Sequence, residues 1–266
     1  MKPSHLAVAL VALSLVLLTT WPTNVGFVMA GVEEPESPEG DPPSISPYWH
    51  PRVQQWNALI LEEAQSRSLD PDFLASLLWM ESRGYHDAVG PVGAVGLMQV
   101  MPKEAGFTWR PSRDLLFDPA VNLFWGTRTL ATVVHQGQGD IFNALAAYNG
   151  GWEQIQYRGP RIFATTILRD YARAVALRHG LRPSDEWVAL FAVRGVRTNG
   201  PIWVADSSRD DVYFYSRENW VPEGYPLIPE HLPPVSIVAR CEKEDGRTYD
   251  VGIWLYLERE GEWVAP

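Results

Sequence analysis

The stretch from Asp70 to Gln99 constrains this chain more than any other. Asp70 can cap a helix, Pro71 suits its first position, and Asp72 complements the positive end of its dipole. Phe73, Leu74, Leu77 and Leu78 then form an apolar stripe. Glu81 lies four residues past Leu77 and three past Leu78, so it continues that face. Gly84 supplies a natural stop. Eleven residues after Glu81 the chain enters a run of tight turns, Val92-Gly93-Ala94-Val95-Gly96-Leu97-Met98-Gln99. A carboxylate on a buried face, followed by a glycine-hinged loop, reads as an acid in a cleft whose wall is that loop. Burial disfavours its charged form, and the negative end of the helix pushes the same way. Both effects hold a proton near neutral pH, as a general acid requires. The plainer reading is a boundary glutamate whose carboxylate reaches solvent, and the neighbouring residues have to decide between the two.

Helical patterning continues on both sides. Val53, Trp56, Ile60 and Ala64 repeat at helical spacing before it. After it, Asp118-Pro119 opens a helix through Leu123, Leu130 and Val134, which Gly137 and Gly139 end. Asp140 caps the next, through Asn143, Leu145 and Ala146 to Tyr148, broken at Gly150-Gly151. A last helix, roughly Arg161 to Arg178, ends at Gly180. Beyond about Pro183 the texture changes to short runs rich in β-branched and aromatic residues: Trp187–Val193, Ile202–Ala205, Val212–Tyr215, Val235–Cys241 and Tyr249–Leu257. Glu244-Asp245-Gly246 is a hairpin turn between the last two. The expected class is α+β: a mostly helical domain over 51–182, then a smaller β-rich C-terminal module over 183–266 that bears no recognisable motif.

The first residues read as a targeting segment. Lys2 precedes an apolar run from Leu6 to Leu18, and Val28-Met29-Ala30 offers small residues for a peptidase cut before Gly31. An uncut anchor is the rival and would tie the chain to a membrane, although the run is short for a full span. Either way residues 1–30 direct the remainder out of the cytoplasm, and the Pro- and Glu-rich residues 31–50 read as an extended linker. The net charge of −10 with no basic stripe argues against nucleic acid as a partner. The single cysteine, Cys241, excludes a disulfide within the chain, and the six scattered His show no metal spacing. The 12 Trp serve packing or offer flat faces for sugar rings.

Three ordered blocks carry a family resemblance. They are Glu81-Ser82 at a helix end, Gly93-Ala94-Val95-Gly96-Leu97-Met98-Gln99-Val100-Met101-Pro102, and Ala147-Tyr148-Asn149-Gly150-Gly151. The second is similar to G-A-x-G-L-M-Q-I/V-M-P and the third to A-Y-N-x-G. Between them Asp118-Pro119, Asn122 and Gly126 fit D-P-x-x-N-x-x-x-G. Together they resemble the soluble lytic transglycosylases, the peptidoglycan-cleaving branch of the lysozyme-like superfamily, over about residues 52–180. The resemblance implies a lysozyme-like fold for the helical part, peptidoglycan glycan strands as partner, a periplasmic or otherwise wall-facing location, and neither metal nor other cofactor. It implies Glu81 as the single catalytic acid and base. Ser82, Gln99, Met101, Tyr148 and Asn149 are then the substrate-binding candidates, with the Tyr148 hydroxyl facing the carboxylate. The implied reaction cleaves the MurNAc-GlcNAc β-1,4 bond without water and leaves a 1,6-anhydro ring.

Two positions depart from the family pattern. Gly90 stands before Pro91-Val92-Gly93 where many members have Ser, and Ile167 stands four residues before Tyr171 where members often have Glu. Two other readings stand beside this one. A goose-type lysozyme-like hydrolase would need a second carboxylate to activate water, for which Asp87 is the candidate. A non-catalytic wall-binding protein would rely on the β-rich tail. Keeping Glu81, Gln99 and Tyr148 together argues against that second case.

Overall fold

The computed structural model describes residues 43–182, 185–193, 202–205 and 227–266. Helices come first: α1 Pro51–Gln54, α2 Asn57–Arg67, α3 Pro71–Ser82, α4 Pro119–Gln136, α5 Ile141–Gly150 and α6 Arg158–Arg178. The strands follow: β1 Trp187–Val193, β2 Ile202–Ala205, β3 Ser236–Glu242, β4 Thr248–Leu257 and β5 Glu262–Trp263. The chain is therefore α+β in the expected order. The expected strand at 212–215, Trp220 and the targeting segment lie outside the described residues. Among the described residues no helix is long and apolar enough to cross a membrane.

The capping chemistry read from the sequence is present. Asp70 accepts from the backbone N–H groups of Asp72 and Phe73, Asp118 from those of Ala120 and Val121, and Asp140 from that of Asn143. One helical stretch is interrupted. The repeat from Val53 to Ala64 breaks at Gln55-Trp56, because the Trp56 indole donates to Gly84 O at 3.0 Å and is pinned to the end of α3. The stop after α3 is also displaced by one residue. Arg83 already takes the left-handed conformation, and Gly84 follows with φ +83°. A Cβ on Gly84 would come within 2.4 Å of Arg52 O, so only glycine lets α1 pass this close.

The sheet is antiparallel, in the order β2-β1-β4-β3, with β5 added to β4. It shares one core with the helices. The Phe73 ring of α3 packs edge-on against Tyr171 of α6 at 5.5 Å, and Tyr171 packs against Phe191 of β1 at 5.9 Å. A buried polar hub fixes the same junction. Asp70 receives Ser236 Oγ at 2.7 Å and pairs with Arg178 at 3.2 Å. Asp72 pairs with Arg178 at 2.9 Å and accepts from Ser46 N and the Trp49 indole, each at 2.7 Å. Burial raises the Asp72 pKa, opposed by the Arg178 charge.

That hub corrects the linker expectation at its C-terminal end. Ile45, Ser46 and Trp49 are buried against the helices. The Ser46 N–H and the Trp49 indole complete the shell of Asp72, which would otherwise be a poorly compensated buried charge.

Candidate functional site

Three segments build the neighbourhood of Glu81, joined through Tyr148. The first is the C-terminal turn of α3, which carries it. The second is the loop 88–102, folded on itself by the bridges Val89–Val95 and Val95–Val100. Gly96 sits there at φ +79°, where a Cβ would fall 2.2 Å from Asn122 Nδ2 and 2.7 Å from Leu116 O. The third is α5, which presents Tyr148 from its last turn.

Asn122 of α4 holds the loop in place. Its side chain accepts from Met98 N at 2.8 Å and donates to Val95 O and Leu116 O, each at 2.8 Å. Gly126, one turn further along α4, admits Met98: a Cβ there would meet Met98 Cβ at 2.3 Å. These contacts give a physical reason for the Asn and Gly of the α4 pattern. Met98 is fully buried and acts as a core residue.

Glu81 is half-buried. Among the described residues its carboxylate has no hydrogen-bond donor or cation against it, and burial pushes its pKa from 4.5 up to about 8. The Tyr148 hydroxyl donates to Met98 O at 3.0 Å. Burial first, then the nearby Glu81 charge, holds the Tyr148 phenol well above its ordinary range. Tyr148 therefore neighbours the acid electrostatically, but its proton is committed to the loop backbone. The expected orientation of the carboxylate by that hydroxyl is not made here, because the Met98 carbonyl is its acceptor.

The other expected site residues divide. Gln99 takes φ +47°, an uncommon conformation for a residue with a side chain. Its Nε2 donates to Gly96 O at 3.0 Å and Ala88 O at 3.3 Å, folding the amide back across the loop. A Cβ at Gly90 would lie 2.5 Å from Gln99 Oε1, so the Gly90 departure is what makes room for this placement. Met101 is half-buried, with its carbonyl accepting from Arg110. Ser82 is buried, donates to Leu78 O at 3.3 Å and accepts from Gly84 N at 3.2 Å, so its hydroxyl finishes α3. Asn149 is exposed on the last turn of α5. Ile167 is fully buried in α6, and Asp87 is exposed in the turn after α3.

Arg110 escaped the sequence reading. It follows the Met101-Pro102 motif in a loop with no periodicity, and only its position relative to Tyr148 gives it significance. Burial lowers its pKa, opposed by the Tyr148 phenol. Among the described residues no cluster of His, Cys, Asp or Glu could hold a metal ion.

Comparison with known proteins gives a consistent result. Residues 58–160 match the transglycosylase SLT domain family. The chain is 29% identical over 154 residues to membrane-bound lytic murein transglycosylase C of Sodalis glossinidius, covering 52% of this chain and 41% of that protein. It is 34% identical over 108 residues to a transglycosylase of Enterobacteria phage PRD1, covering 40% of this chain and 38% of that protein. Among solved structures, an inactive mutant of lytic transglycosylase Slt from Pseudomonas aeruginosa matches with TM-score 0.41 and 26% identity, over 47% of this chain and 25% of that one. The chain thus spans about two fifths of the length of the curated relatives it matches.

Proposed function

We propose, from the match of residues 58–160 to the transglycosylase SLT domain family and the likeness to lytic murein transglycosylases, that this chain cleaves the MurNAc-GlcNAc β-1,4 bond of peptidoglycan without consuming water. Glu81 is the catalytic residue, acting as acid and then as base. The observation that carries this reading is a half-buried carboxyl, unpaired among the described residues, whose pKa of about 8 keeps it protonated at neutral pH.

The protonated carboxyl donates its hydrogen to the glycosidic oxygen as the bond to C1 of the muramyl sugar breaks. The substrate's own N-acetyl group stabilises the cationic sugar, so a second carboxylate is not required. The carboxylate left behind takes the proton of the muramyl 6-hydroxyl, and O6 closes on C1 to give the 1,6-anhydro ring. Glu81 ends the cycle protonated again. Tyr148 fixes the loop through Met98 O, so the wall that faces the acid stays in register. Gln99, Met101 and Asn149 are the substrate-contact candidates. Ser82 supports Glu81 from behind by holding the helix end.

Residues 51–182 are proposed as the catalytic domain and 183–266 as its brace. The catalysis is assigned to the outside of the cytoplasm, facing the wall, with residues 1–30 as the targeting or anchoring segment. The relatives named membrane-bound lytic murein transglycosylase support that location.

The test is Glu81→Gln on purified sacculi. The amide keeps the shape and cannot give up a proton as an acid, so turnover should fall by at least about a thousandfold while the protein stays folded. Mass spectrometry of the wild-type products decides the chemistry. Anhydro ends are one water lighter than hydrolysed ends, and a product of hydrolysed mass would replace this reading with a lysozyme-like hydrolase.

A further inference from the structure

The loop after the glycine-hinged turn carries a positioned cation. Lys103 N donates to Pro111 O at 3.0 Å and closes the loop at its base. Arg110 N donates to Phe107 O at 2.8 Å, so Phe107, Trp109 and Arg110 emerge from one tight turn. The Arg110 guanidinium lies 4.6 Å over the Phe107 ring, and its Nη1 donates to Met101 O at 3.3 Å. Phe107 packs edge-on against Trp109 at 5.4 Å, whose indole is 62% exposed. Stacking and the hydrogen bond together fix a guanidinium that is already half removed from water.

No carboxylate among the described residues pairs with Arg110, whereas Arg178, Arg240, Arg247 and Arg259 all have one. The group that senses its charge is the Tyr148 phenol, which also senses Glu81. Arg110 exerts no resolved pull on Glu81 itself. Arg110 and Tyr148 are fastened to the same loop, at Met101 O and Met98 O, which brings the guanidinium to the neighbourhood of the acid without pairing with it.

A guanidinium has five N–H donors in a planar fork that matches a carboxylate, and among the described residues one of them is used. Muramyl sugars bring carboxylates to a strand in two places. One is on the lactyl ether, when the sugar is bare. The other is on the peptide stem, when it is substituted. GlcNAc has none. Resting on the proposed reaction, we propose that Arg110 is a substrate-binding residue that takes a carboxylate of the glycan strand, and so registers a muramyl unit beside Glu81. The exposed Trp109 face flanks that contact and offers the same strand an apolar surface.

The test uses the full chain as wild type, Arg110→Gln and Arg110→Lys. The substrates are peptide-bearing strands and amidase-stripped strands, with binding of a carboxylate-free GlcNAc hexamer measured by calorimetry. Losing a charge-assisted pair should raise KM about 10- to 100-fold for Arg110→Gln, with kcat changed by no more than about threefold, and leave hexamer binding unchanged. Arg110→Lys should fall between wild type and Arg110→Gln. An effect confined to peptide-bearing strands assigns the stem carboxylate, and one confined to stripped strands assigns the lactyl carboxylate. Equal weakening towards the hexamer, an unchanged KM on both strands, or a fall in kcat alone would overturn the proposal and leave Arg110 as a loop fastener. If the wild type releases no anhydro ends from either strand, it is the proposed reaction that fails. Arg110 is then still judged by strand affinity against hexamer affinity.

Discussion

Replacing Glu81 by Gln should make the protein more stable, and increasingly so as pH rises. The Glu81 pKa stands at about 8 in the folded chain against an ordinary value of 4.5, with burial as the cause. The folded state therefore holds this proton more tightly than the unfolded state. A raised pKa contributes stability that is fully present below about pH 4.5 and is lost as pH climbs through about 8. At about 1.4 kcal/mol per pH unit across that window, the loss comes to about 1 kcal/mol near pH 5, about 3 near pH 7 and about 5 above pH 9. Glutamine imitates the protonated acid and does not titrate, so the variant escapes the loss. Every other titrating group is common to both proteins and cancels in the difference.

Urea unfolding of the two proteins between about pH 5 and pH 9 measures this directly. The gap between them should widen by about 4 kcal/mol across the range. For a chain of this size that is on the order of 10 °C in Tm at the alkaline end. The same proton should govern turnover, with kcat/KM on purified strands falling above about pH 8 as the acid form is lost. A stability gap that stays constant with pH would refute the argument, because it would mean that Glu81 is solvated and titrates as an ordinary glutamate. The account of the site as an acid kept neutral by burial would go with it.

Two further outcomes follow from the loop and from the sheet. Asn122→Ala removes three buried hydrogen bonds and strands Met98 N and Leu116 O, while Val95 O keeps its bond from Val100 N. It should cost about 3 kcal/mol or more in urea unfolding and lower kcat before the fold is lost. Deleting residues 184–266 uncovers Tyr171 and removes the Ser236 partner of Asp70. The truncated chain should be insoluble or unfolded by circular dichroism, and a soluble, wall-cleaving fragment would show that the sheet is dispensable.

The parts of the structure legible in the sequence are those governed by short-range chemistry. Asp70, Asp118 and Asp140 each act on backbone within three residues of themselves, so the starts of α3, α4 and α5 can be read without knowledge of the fold. The apolar stripe leading to Glu81 is a local period of the same kind. What escaped depends on distant partners. The break at Gln55-Trp56 comes from an indole bonded 28 residues away, at Gly84. Ser46 and Trp49 read as linker because the Pro- and Glu-rich composition around them is that of an extended chain, while their acceptor, Asp72, lies more than 20 residues on. Tyr148 could be placed near the acid by motif, but the competition between Glu81 and Met98 O for its hydroxyl is decided by loop geometry alone. Arg110 had no motif at all, and its placement depends on an aromatic ring and a carbonyl that only the folded loop brings together, with no carboxylate paired to it among the described residues.

The two ends of α3 explain how the acid can be held this way. At its N-terminus Asp70 and Asp72 are tied to Arg178 of α6, Ser236 of the sheet, and Ser46 and Trp49 of the N-terminal strap. At its C-terminus Glu81 has no such partner among the described residues. A helix this short is a rigid lever, so anchoring one end fixes the position of the other. If α3 could tilt, the carboxyl would swing into water and its pKa would return to that of a free glutamate. The sheet thus acts on the chemistry without touching it. It holds one end of α3 by charge and packing while the Trp56 indole pins the other at Gly84, and a helix fixed at both ends keeps the unpaired acid partly dehydrated.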